Sequence, residues 1–240
     1  MRRGACTGWL VSKDGPENAE PPAIDSGVAG GSAQTEFERR RDARATRVKR
    51  RLGNFLGDAV LALSNEPQST QPWSSGAAGE RRLAEALDRV KGLHVLNDRK
   101  VPGTRGNIDH IVVSTAGVFV VDAKHYKGLI RIRDRGGFLK TDNRLYVGSR
   151  DCSHLADMGW QVDAVRNALS AAGIDPAPPV IAVLCFVDGD WPILFPPNQY
   201  RGVRLEGKRS IKKLVSGAPL LDPAIIDRVV RVLATSLPAM

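Results

Sequence analysis

In the stretch "VFVVDAKHYKG", residues 118–128, a run of apolar residues ends abruptly on Asp122 and Lys124. Strand side chains alternate faces, so Val118, Val120, Asp122 and Lys124 share one face. The last two project side by side, about 7 Å apart along the strand. A second carboxylate, Asp109, stands in "IDHIVVS", on the same face as Ile111 and Val113. The intervening "TAG" reads as a tight turn, and a hairpin there would carry Asp109 toward Asp122. Two carboxylates brought together at the ends of apolar strands are costly unless a cation joins them. Lys124 supplies one charge; a divalent metal would supply more, and hard oxygen donors suit Mg²⁺ or Mn²⁺. The other reading is that both acids lie at exposed strand ends and simply meet water.

The elements around these residues follow from pattern and punctuation. "AAGERRLAEALDRVKGL" is a helix with Leu83, Leu87 and Val90 at i, i+4 and i+7, and with Gly92 at its C′ position. "LHVLNDRKV", "IDHIVVS", "VFVVDAK", "LIRIRDR" and "RLYVGS" read as strands, and "HLADMGWQVDAVRNALSAAG" as a helix ending at Gly173. "VIAVLCFVD" is a buried strand, "DWPILFPPNQYRG" a loop and "VRLEG" an edge strand. "DPAIIDRVVRVLATSL" is a last helix with Asp222 as N-cap and Pro223 at N1. This order describes an α/β protein, a mixed sheet covered on both faces.

Composition bounds the remainder. The 240 residues suffice for one sizeable core, and the net charge of +9 favours a polyanionic partner. Three scattered cysteines, Cys6, Cys152 and Cys185, fit a reducing compartment, so the expected location is cytoplasmic. No apolar run approaches the roughly 20 residues of a membrane span. Residues 1–35 are rich in Gly, Ala, Pro and Ser and read as a disordered tail. Residues 36–65 read as a basic helical arm, with eight Lys or Arg between Arg39 and Arg51. That arm suits a phosphate backbone, or is a solvated helix of mixed charge. Residues 66–75 read as a linker, 76–190 as the folded core and 191–240 as an extension packed on it. Arg131, Arg133 and Arg135 alternate along one strand, either as a phosphate-facing stripe or as an exposed amphipathic face.

Gly79-Glu80, Ile108-Asp109-His110, Val121-Asp122-Ala123-Lys124 and Tyr126-x-Gly128 together resemble the nuclease-related domain (NERD) family, a branch of the PD-(D/E)XK nucleases. The resemblance runs from about Gly76 to Val187. It implies a restriction-endonuclease-like fold: a mixed β-sheet core flanked by helices. It further implies a metal-dependent nuclease acting on DNA rather than RNA. Asp109, Asp122 and the Ala123 carbonyl would hold Mg²⁺ or Mn²⁺, with Glu80 reaching it directly or through water. Lys124 would orient the attacking water, and Gln161 would hold a phosphate or the Lys124 ammonium; on the stripe reading of their strand, Arg131 and Arg133 would meet substrate. The family more often has Glu where Asp122 stands, and Asn-Pro ahead of the Gln, where "MGW" precedes Gln161. His110 faces away from Asp109 and is expected to pack. His125 is expected at the surface, and Tyr126 and Trp160 as core or rim aromatics. A homodimer stays open, as does a non-catalytic nucleic-acid-binding or regulatory module on the same fold.

Overall fold

The computed structural model describes residues 23–52, 71–137 and 140–240. Helix α1 spans Gly31–Leu52 and α2 spans Gln71–Asp88. The strands β1 (His94–Lys100), β2 (Asn107–Ser114), β3 (Gly117–Lys124), β4 (Gly128–Asp134), β5 (Asn143–Val147) and β6 (Arg150–Asp151) follow. After a 3-10 turn at Ser153–Ala156 come α3 (Gly159–Ala171), β7 (Val180–Phe186), β8 (Gly189–Asp190), β9 (Gln199–Tyr200) and β10 (Val203–Gly207). Two helices close the chain, α4 (Ser210–Val215) and α5 (Pro223–Ser236).

Two sheets form where the sequence reading expects one. The larger has the order β1-β2-β3-β7-β10-β9, and the smaller has β6-β5-β4-β8. β1 to β3 are an antiparallel meander, while β7 runs parallel to both β3 and β10. A parallel neighbour requires a crossover, which the β4–β5 excursion and α3 provide. β2 and β3 sit in the middle, covered on both faces, so "IVVS" and "VFVV" are buried without alternation. One face of the sheet carries Ile111, Val113, Val118, Val120 and Leu184 against α3 and α5. The other carries Val112, Phe119, Val121 and Cys185 against α2 and α4.

The helices behave as their patterns require. Asp222 caps α5 by accepting a hydrogen bond from the Ala224 N–H at 2.9 Å, with proline in the first turn. Ile226, Val229, Val230 and Leu233 then form its buried stripe. α2 buries Leu83 and Leu87 completely. Each is worth about 2 kcal/mol of transfer free energy, so Leu83→Asp would break the α2 contact.

Several boundaries differ from expectation. Residues 23–30 run beside β1: the Asn97 N–H donates to the Ser26 carbonyl, and Ala29 is buried against the body. Their backbone is paired, so this part of the tail is ordered. α2 begins at Gln71, inside the expected linker, and ends at Asp88 with Gly92 (φ 77) turning the chain beyond it. The first turn of the helix expected from His154 is a separate 3-10 turn, Ser153–Ala156. "VRLEG" is interior, because the two-residue β9 pairs with it and takes the edge. The arm's residues 53–65, and most of the tail, lie outside the described residues.

Candidate active site

The site is built from the hairpin outward. In the β2–β3 register Ile111 faces Val120 and His110 faces Val121, so the next pair along is Asp109 and Asp122. Asp109 is held by the backbone: its Oδ2 accepts the Ala123 N–H at 3.0 Å. Lys124 turns its ammonium onto Asp122 Oδ1 in a close ion pair. The expected pairing of Asp109, Asp122 and Lys124 on one face is therefore present.

Glu80 enters from α2. Gly79 allows this approach, because a methyl group on it would sit 3.1 Å from His125 Cβ. Gly30 (φ 72) does the same for the entry to α1, its missing Cβ lying 2.9 Å from Ala77 Cα. Glu80 is only 8% exposed, and its Oε2 has no hydrogen-bond partner. Burial pushes its carboxyl up to about 7, helped by Asp98 and Asp122 and opposed by Lys124 and a Gly30 backbone hydrogen bond. Burial also raises Asp109 well above the usual carboxylate range, with Asp122 and Glu80 adding to it. Lys124 is raised too: burial opposes its charge, but Asp122 and Asp109 outweigh that cost. Three carboxylates thus share one ammonium, and the cluster meets the imbalance by favouring protonated Asp109 and Glu80.

Asp98 was not singled out from the sequence. It interrupts β1 with φ 47, between the pairs Asn97–His110 and Arg99–Ile108, and so lines up beside Asp109. Its carboxylate takes the Ser32 N–H at the start of α1, the Ser32 hydroxyl at 2.9 Å and the Asn107 amide at 2.7 Å. It caps α1, where the helix dipole favours an anion. Arg82 and Asp188 were missed as well. Arg82 donates to both Asp188 oxygens, at 2.9 and 3.2 Å, and its Nη2 lies 2.9 Å from His125 Nδ1, which also contacts Asp188. This triad ties α2, the end of β3 and the end of β7 together beside Lys124. A sequence signal existed for Asp188, since "VLCFVD" ends its apolar run on Asp as "VFVVD" does.

The other expected site residues are placed differently. Gln161 is buried in the first turn of α3, but its Oε1 makes no hydrogen bond, so it does not hold Lys124. Arg131 and Arg133 belong to the smaller sheet. Arg133 lies over the Tyr146 ring at 5.4 Å, and the Arg131 Nε is buried without a partner. His110 is fully buried on the opposite face, as expected, with Nδ1 2.8 Å from Asn97 Oδ1. Burial pushes its pKa down to about 4, which keeps it neutral. Tyr126 is half-buried beneath Arg150, and Trp160 lies over Gly106 at the rim.

The donor set fits a hard divalent cation in kind: three carboxylates around one ammonium, with the buried Glu80 Oε2 unpartnered. As arranged here, no group of three or more His, Cys, Asp or Glu among the described residues is set to hold a metal ion. Asp122 faces Lys124 and Asp109 faces a backbone N–H instead.

Residues 75–187, a little under half of the chain, match the family model of the nuclease-related domain. An uncharacterized protein of Bacillus anthracis is 27% identical over 128 residues, which cover 49% of this chain and 60% of that relative. No solved structure matches the chain. No helix among the described residues is long and apolar enough to cross a membrane.

Proposed function

We propose that the protein is a metal-dependent nuclease that hydrolyses phosphodiester bonds, with DNA as its substrate rather than RNA. The observation that carries this reading is the convergence of Glu80, Asp109 and Asp122 on Lys124 at the end of β3. Their burial and mutual repulsion favour a cation among them, and the net charge of +9 favours a nucleic-acid polyanion outside.

Asp109 and Asp122 would hold Mg²⁺ or Mn²⁺ with the Ala123 carbonyl, and Glu80 would add its free Oε2. Bound there, such an ion supplies a polarised phosphate and a water of lowered pKa. Lys124 stays protonated at neutral pH, so it donates hydrogen bonds and carries charge toward the phosphoryl oxygens. Asp122 shares an ion pair with it and thereby fixes its direction. Glu80, whose carboxyl lies near 7 without a metal, would be held as a carboxylate by such an ion and would release its proton when the ion binds. The Arg82–Asp188–His125 triad holds α2 against the strand end and keeps Glu80 in reach.

The deciding experiment is cleavage of supercoiled and linear DNA with Mg²⁺, Mn²⁺ or EDTA, wild type beside Asp122→Asn. Metal-dependent cleavage lost in the folded variant supports the reading; cleavage retained by that variant removes these acids from the chemistry. A second reading, a nucleic-acid-binding module without catalysis, is favoured by the Lys124–Asp122 ion pair, which already neutralises one acid. Binding that survives EDTA, falls with salt and yields no product under any metal would select it.

A further inference from the structure

Next to the acids lies a cleft of about 500 Å³ that the chemistry above does not use. Phe186 forms one wall and stands beside Lys124 in the β3–β7 register; Gly207 stands beside Phe186 in the β7–β10 register. Two strand spacings, about 10 Å, thus separate Lys124 from the far side of the cleft. Trp191 packs edge-on against Phe186, with ring centroids 6.4 Å apart. Its indole Nε1 covers Gly207 so closely that an added Cβ there would come within 2.8 Å. Pro196 and Pro197 contribute further apolar wall, and Glu206 and Ser210 contribute polar groups. Lys208 and Arg209 are exposed at its rim, whereas Arg204 is occupied by Glu206 at 3.0 Å. The segment enclosing the cleft ends in a bare apolar tip, with Ile193 98% and Phe195 95% exposed and prolines on either side.

We propose that this cleft binds an unpaired base of single-stranded DNA, stacked against Trp191, with the adjoining phosphates on Lys208 and Arg209. Aromatic walls beside exposed cations are the sequence-tolerant means of gripping a single strand. A base within a duplex stack cannot enter such a pocket without being flipped out. The 10 Å spacing lets one strand occupy the cleft and reach Lys124 at once. The exposed tip offers a further stacking surface, or a wedge at a frayed end. As a statement about substrate this rests on the nuclease reading; as a statement about binding it does not.

The test is anisotropy of a short fluorescein-labelled oligothymidylate and of a matched duplex, with the full chain in EDTA. Single strand should bind at least about tenfold tighter than duplex, and Trp191→Ala should lose about tenfold for the single strand alone. Because Trp191 is partly built into the fold, two exposed changes accompany it. The pair Lys208→Ala and Arg209→Ala should weaken single-strand binding and lower its salt slope by roughly 1.4. Phe195→Ser should weaken it severalfold with an unchanged melting curve. Equal binding of both forms, or wild-type affinity in a folded Trp191→Ala protein, overturns the proposal. So does sedimentation with anionic lipid vesicles that Phe195→Ser abolishes, if no single-strand preference accompanies it. If binding behaves as expected but no metal yields cleavage, the nuclease reading fails and the cleft assignment stands. Metal-dependent cleavage indifferent to Trp191 and to strandedness leaves the nuclease reading and removes the cleft.

Discussion

Two strongly polar groups lie buried on adjacent strands and are treated in opposite ways. On β1, Arg99 is 1% exposed, and each nitrogen of its guanidinium donates to a backbone carbonyl: Nε to Leu237, Nη1 to Asp25 and Nη2 to Ala234. It joins the end of α5 and the 23–30 segment to the sheet. On β2 and β3, Asp109, Asp122 and neighbouring Glu80 share one lysine, and one Glu80 oxygen has no partner. A satisfied buried charge holds a fold together; an unsatisfied cluster raises free energy that a ligand can recover. On the nuclease reading, the difference separates a residue of the architecture from residues of the chemistry.

The comparison can be broken most decisively at the acids. Asp122→Asn should lower metal-dependent cleavage by about 10³-fold, measured as nicking of supercoiled DNA, while leaving the melting temperature close to that of wild type. Lys124→Met should cost about 10²-fold in the same assay. Arg99→Met should show the reverse pattern. Losing three buried hydrogen bonds costs about 3 kcal/mol, read as a lower urea midpoint, with cleavage per folded molecule unchanged. A catalytic defect in that variant without a stability loss would dissolve the contrast.

A smaller effect is expected from pH. Glu80 is lifted from 4.5 to about 7 on folding, so the folded state holds a proton that the unfolded state has released. Its contribution to stability is fully present below pH 4.5 and is lost as pH rises through about 7. Asp109 shifts in the same direction. Melting temperatures in EDTA should therefore fall across that window, and Glu80→Gln should flatten the fall. Mg²⁺ should restore stability at the upper end, as a ligand of the native state does; no effect of Mg²⁺ or Mn²⁺ on melting would argue against a cation among these acids.

The central hairpin was legible because it is local. Two apolar runs joined by "TAG" permit few registers, and the register found sets Asp109 against Asp122. Glu80 was legible only through the resemblance, in the pair Gly79-Glu80; the close approach that Gly79 permits shows in the structure alone. Asp98 was hidden, because its role depends on a positive φ inside a strand and on α1 returning to meet it. The Arg82–Asp188 pair joins residues 106 apart, a separation that no periodicity reports. The arginine stripe misled in part: alternation on β4 is real, but β4 leaves the main sheet and pairs with β5 and β8 instead. Likewise, "VRLEG" looks like an edge until a strand of two residues covers it.

The fastening of Ser32 to Asp98 makes α1 a ruler with its zero mark at the acids. Its 22 residues extend about 33 Å at 1.5 Å each. The Arg39–Arg51 stretch thus begins about 12 Å along it and ends about 30 Å along it. At 3.4 Å per base pair, that reach is roughly nine base pairs, close to one turn of duplex. On the nuclease reading, a fragment shorter than this cannot engage the acids and the far end of the arm together. The smallest fragment held at both ends would then be set by the length of a helix, with no base read at all.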